Sequence, residues 1–326
     1  MRRATVLAER IRARVDATVY GESLQLARLQ QPAGDPGLFG PDSMVWRVHS
    51  NMLGMFTGGL AALLLQTLHP LAVAGVDQHS VYRQDPVGRL NRTAGFIAVT
   101  SFGPSREARA ALARVRRRHD RVRGAAPDGR PYAAGDPALL TWVHVAETRC
   151  FLAGHQAYGG RRLTTAQCDR YFRETAVLAE HLGATAVPAS MADVRSYLAS
   201  VRSELAPSDA GLATVGFLRG LGRDPLERAA LRVLLNGAGA LLPDWAAQQL
   251  DLDRPGPALG LLHRAATHAL GAVLRYACEP SPILETARTR ANTPPAHVGS
   301  PQFPRPLGQG PSASTRTKAD VGSDRL

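Results

Sequence analysis

Asn51-Met-Leu-Gly-Met-Phe-Thr-Gly-Gly-Leu60-Ala-Ala-Leu-Leu-Leu-Gln-Thr-Leu-His-Pro70-Leu-Ala-Val-Ala-Gly-Val76 contains no aspartate, glutamate, lysine or arginine. Its length meets the criterion of about 20 apolar residues for a membrane-spanning helix. Its composition argues against that reading. Gly54, Gly58 and Gly59 dilute the hydrophobicity, Gln66, Thr67 and His69 bring polar groups near its end, and Pro70 interrupts the helical pattern. The stretch therefore predicts a buried central helix, and the fold class that follows is all-α: a single multi-helix domain wrapped around it.

Polar groups crowd the segment that follows. His69, Asp77, His79, Tyr82 and Asp85 lie within or beside the most apolar part of the chain. Left buried and unpaired, each would cost about 1–3 kcal/mol, so they need partners or a function. Asp85-Pro86 reads as an N-cap followed by proline at the first helical position. In the helix it opens, Arg89, Arg92, Thr93 and Phe96 share one face. Two guanidinium groups and a hydroxyl on one face either hold an anion or form a solvated stripe, and the spacing allows both.

Two further helices carry histidines on otherwise apolar faces. In the one opened by Ser105, Ala108, Ala111, Leu112, Val115, His119 and Val122 fall on one side, and arginines fill most of the rest. His119 reads as a core histidine bonded to a backbone carbonyl or as a metal ligand. Asp136-Pro137 repeats the cap-plus-proline signature, and its helix aligns His144, Thr148, Phe151 and His155. Helical patterns also cover residues 4–31, 164–183 (with a Thr164-to-Gln167 capping box), 190–205, 209–221, 224–238, 243–251 and 257–278. The organisation expected is an N-terminal helix and loop over 1–42, a main domain over 43–285, and a disordered tail over 286–326, where bulky apolar residues almost vanish.

The 326 residues carry a formal net charge of +12, yet Lys318 is the sole lysine. The cations are spread over many helices without interleaved aromatics, which argues against nucleic-acid binding but leaves a pull toward anionic surfaces, peripheral membrane attachment included. No protein partner is evident. Cys150, Cys168 and Cys278 are odd in number and widely spaced, pointing to a reducing compartment and away from disulfides or a zinc site. The basic N-terminus lacks a secretory apolar run, so a cytoplasmic location is expected. Dinucleotide, Walker, GxSxG, HExxH and paired Glu-x-x-His motifs are all missing.

His69-Pro70, Asp85-Pro-Val-Gly-Arg-Leu-Asn-Arg-Thr93, His119-Asp-Arg-Val-Arg-Gly124, Pro127-Asp-Gly-Arg-Pro-Tyr132 and Asp136-Pro-Ala-Leu-Leu-Thr-Trp-Val-His144 occur in this order. Together they resemble the catalytic domain shared by latex-clearing rubber oxygenases and MpaB-type oxygenases, over roughly residues 43–280. The resemblance implies an all-helical, globin-related core that holds one haem b, with His119 as the iron ligand. It places Arg89, Arg92 and Thr93 on the distal side or at the haem propionates. Here the sequence departs from the rubber oxygenases, which have lysine where this chain has Arg92, and arginine is a poor ligand for iron. His69 and His144 are further candidates, as acid/base groups or structural hydrogen-bonders. The activity implied is haem-dependent oxidation of an apolar substrate by dioxygen, with cleavage of an isoprenoid-type C=C bond as one form. A haem carrier or sensor, and a helical interaction protein without cofactor, are the competing readings.

Overall fold

The computed structural model describes residues 2–19, 21, 26–252 and 255–294. Among them the architecture is all-α, with one small hairpin. A first helix, α1, spans Arg2–Val19, and Leu26–Leu29 form a short 3-10 turn. The continuous helix expected over 4–31 thus ends at Val19, before Gly21 adopts a left-handed backbone. The short α2, Met44–His49, is capped by Ser43, whose hydroxyl accepts from the Trp46 N–H at 3.1 Å.

The uncharged stretch folds as two helices. Asn51 caps α3, Met52–Gln66, by accepting from the Gly54 N–H at 2.6 Å. Pro70 then starts α4, Pro70–His79, which is bent by 104° from α3. No single helix among the described residues is long and apolar enough to cross a membrane. Helix α3 instead forms the centre of the domain, packed along α7, Pro137–Tyr158. The glycines that dilute its hydrophobicity permit that contact. A Cβ on Gly58 would lie 2.6 Å from the Cys150 carbonyl oxygen, and Gly54 meets Gly154 backbone to backbone. Leu64, Leu65 and Leu68 complete a core with Trp142, Ala146 and Cys150.

Around this pair lie α5 (Pro86–Phe102), α6 (Ser105–His119), α8 (Thr165–Leu182) and α9 (Met191–Ser200). They are followed by α10 (Asp209–Gly220), α11 (Pro225–Gly239), α12 (Asp244–Gln249) and α13 (Pro257–Cys278). The capping box of α8 is present in full, and Gly183 ends that helix in the left-handed region. Between α6 and α7 sits the hairpin of β1, Arg123–Ala125, and β2, Pro131–Ala133, with Gly124 opposite Tyr132. Its strands of three residues each are too short for an alternating pattern to announce them.

A last helix, α14, spans Pro282–Asn292 and moves the proposed tail boundary at residue 286. Its anchor is Arg290, 2% exposed, which donates to the carbonyls of Leu29, Asp35 and Phe102 at 2.7–2.8 Å. The remainder of the expected tail, 295–326, lies outside the described residues.

Candidate functional site

Helix α5 begins as its sequence requires. The Asp85 carboxylate accepts from the Gly88 N–H at 2.8 Å, and Pro86 occupies the first turn. One turn later Arg89 is half-buried and donates to the Ser80 hydroxyl at 2.9 Å. It forms no ion pair among the described residues, although the charges of Arg92, Arg118 and Glu147 all reach it. Burial, and then the two neighbouring guanidiniums, lower its pKa. The first half of α5, the last turn of α6 and the middle of α7 therefore converge around Arg89.

His119 is the last residue of α6 and is half-buried. Its Nδ1 is buried without a hydrogen-bond partner. A hydrogen-bonded histidine looks different in this molecule. His181 Nδ1 lies 2.7 Å from the Val177 carbonyl, and both nitrogens of His49 are engaged, at 2.7 Å by Ser101 and 2.9 Å by Tyr171. Burial is the main cause that lowers the His119 pKa; Asp120 opposes it and Arg118 adds to it. The lowered pKa favours the neutral ring, and its Nδ1 is left unbonded.

The α7 histidines are buried as their common face predicts. His144 has an unpartnered Nε2, and burial brings its pKa down to about 4. His155 has both ring nitrogens unpartnered, and burial lowers its pKa as well. His69, the residue before α4, is buried with Nδ1 unpartnered and its ring 5.8 Å from that of Trp142. Burial lowers its pKa too, against the pull of Glu204.

Arg92 and Thr93 occupy a different environment from Arg89. Both are exposed; Arg92 reaches Asp85 at 3.4 Å, and the Thr93 hydroxyl donates to the Arg89 carbonyl at 3.1 Å. The face they share with Arg89 is real, but only Arg89 turns inward. Asp77, Tyr82 and Gln78, on or beside α4, find hydrogen-bond partners. Asp77 and Tyr82 are joined through Arg83, with the Tyr82 hydroxyl also 3.0 Å from Thr214. The side chain of Gln78 secures the hairpin by accepting from Tyr132 at 2.6 Å and donating to the Ala125 carbonyl at 2.9 Å.

One residue of this region escaped the sequence reading. Glu147, half-buried on α7, has its pKa raised to about 7 by burial, against the opposing effects of Gln66 and Arg89. Its only sequence signal is position: it follows His144 by three residues on a helix whose other charged residue among the nearest neighbours is Arg149. No three histidine, cysteine, aspartate or glutamate side chains among the described residues converge on a possible metal position. A metal held here would have to bring most of its ligands with it, as the iron of a porphyrin does.

Residues 46–275 match a family model described as ER-bound oxygenase mpaB/B'/Rubber oxygenase, catalytic domain. No curated protein and no solved structure matches the chain. The matched span runs from α2 through most of α13 and contains every histidine and arginine of the converging cluster. Since it covers more than two thirds of the sequence, the chain belongs to the mpaB/rubber oxygenase catalytic-domain family.

Proposed function

We propose that this oxygenase-family protein is a haem-dependent oxygenase of an apolar substrate, with His119 as the protein ligand to iron. The observation that carries the reading is the buried Nδ1 of His119, which has no hydrogen-bond partner and lies at the end of α6 next to Arg118, whose charge in turn reaches Arg89. A neutral imidazole with a free lone pair is the form that binds a metal, and cations nearby suit the two carboxylates of a haem. The residues present thus fit the group.

Bound haem would supply the iron-centred redox chemistry that lets dioxygen react with an unactivated hydrocarbon. The protein side of the work falls to named residues. Arg89, half-buried and without an ion pair, offers its remaining N–H groups to a haem carboxylate. Arg92, exposed and loosely held by Asp85, would pair with the second carboxylate. His144 and His69, whose pKa values burial lowers, would orient groups by hydrogen bonds without adding charge. Glu147, poised near neutrality, holds or releases a proton at its carboxyl oxygens. The substrate class rests on the family, with cleavage of an isoprenoid-type double bond as the form to test first.

The test is spectroscopic. Purified protein reconstituted with hemin should show a Soret band that His119→Ala weakens or shifts, while His69→Ala and His144→Ala retain it. Oxygen uptake dependent on an added isoprenoid would then establish turnover. Hemin binding without uptake favours a carrier or sensor; a wild-type spectrum in His119→Ala places the ligand elsewhere.

A further inference from the structure

The rim of the cluster carries a surface that the oxygenase reading leaves unused. Between Arg106 and Arg123 there are eight arginines against two carboxylates, Glu107 and Asp120, so this short stretch supplies half of the chain's net charge of +12. All eight are exposed, and none forms an ion pair among the described residues. Arg118 brings this surface to α5, since its charge reaches Arg89. Two large apolar side chains stand exposed there. Val81 is 54% exposed and Leu90 42%, and their chain neighbours Ser80 and Arg89 are hydrogen-bonded at 2.9 Å.

We propose that Val81, Leu90 and the outward arginines of α6 form a docking surface for a bilayer rich in anionic lipid. The occupant follows from the chemistry. Guanidiniums pair with lipid phosphates and carboxylates, and aliphatic side chains set among them enter the headgroup layer. No exposed aromatic in this patch offers bases a stacking platform, which disfavours single-stranded nucleic acid. Docked this way, the rim of the Arg89–His119 cluster faces the membrane, the phase in which an apolar substrate dissolves. That consequence rests on the oxygenase reading; the docking does not.

Flotation of the wild-type chain with vesicles tests it without cofactor or substrate. Vesicles of phosphatidylcholine with about 30 mol % phosphatidylserine should bind at about 0.1 M salt and release the protein at about 0.5 M. Pure phosphatidylcholine should bind at least about tenfold less. Arg114→Glu with Arg118→Glu should weaken binding about tenfold or more, and Leu90→Glu should weaken it with helicity and Tm unchanged. The control Arg195→Glu with Arg232→Glu, on α9 and α11, alters net charge equally and should bind as the wild type. Absence of binding to the anionic vesicles overturns the proposal. So does equal loss in the control pair, which would show only bulk charge, and so does tighter binding to duplex DNA than to vesicles.

Discussion

A histidine's worth in this molecule is read from what its ring nitrogens touch. The helical spacing placed His119, His144 and His155 on apolar faces but left open whether each is a core residue or a ligand. The structure leaves a buried ring nitrogen without a partner on all three, whereas His49 and His181 are hydrogen-bonded. No sequence pattern could supply this, because the partners of His49 come from Ser101 and Tyr171, far away in the chain. Glu147 was hidden for the same reason, its environment being set by α3 and α5. It also gives a signed prediction. With a folded pKa of about 7 against an ordinary 4.5, the folded state binds more protons than the unfolded state between those values, so stability falls as pH rises through that window. His144 acts oppositely: its folded pKa of about 4 makes stability rise between there and its usual 6.5. Glu147→Gln removes only the first effect. Its Tm relative to wild type should climb from pH 5 to pH 7.5, by an amount equivalent to about 2 kcal/mol. A difference independent of pH would mean that the carboxyl is already ionised throughout.

At the scale of elements, caps were legible and close contacts were not. Asp85, Asp136 and Thr164 all cap the helices their sequence positions announced, since each cap is a bond within three residues. Gly58 looked in sequence like a defect in an apolar helix. In the structure it lets α3 approach α7, with no room for a methyl group before the Cys150 carbonyl. Gly58→Ala would gain about 0.5–1 kcal/mol of helix propensity and lose about 1–3 kcal/mol to overpacking. The second effect wins, and a lower midpoint in urea unfolding is expected; a raised midpoint would show that the helices can part freely. The boundary of α14 was missed because its anchor is non-local. Arg290 reaches three carbonyls contributed by the N-terminal loop and the end of α5, and burial lowers its pKa. Arg290→Leu would strand those buried acceptors and should destabilise by about 2–4 kcal/mol. Arg288→Leu, an exposed neighbour on the same helix, should change stability little.

Over the whole molecule, the matched span of 46–275 leaves α1 and α14 outside it, yet both pack onto it. Helix α1 lies against α13 and α5. Val19 is buried, and Val15 packs against the central cluster. Arg12 donates to the Pro280 carbonyl at 2.6 Å, and Arg14 pairs with both Asp224 and Glu227. The expected partition at residue 42 is therefore a boundary in family content and not in packing. The contributions can be ranked. The Arg14 pairs sit at the surface and are worth little. Burial of Val15, Val19 and the half-buried Ile11 is worth about 1–2 kcal/mol each, set against the entropy of ordering the helix. Deleting residues 1–19 should thus lower Tm by several degrees, while Arg14→Ala alone should lower it by no more than about one or two. Among the described residues α1 makes no hydrogen bond or ion pair to Arg89 or His119, so the shortened protein, held well below its own Tm, should bind hemin with an unchanged spectrum. A lost or shifted Soret band in folded, shortened protein would show that α1 shapes the pocket through α5, where Gly21 sits against Asn91, and that the family-matched core is not a complete cofactor site by itself.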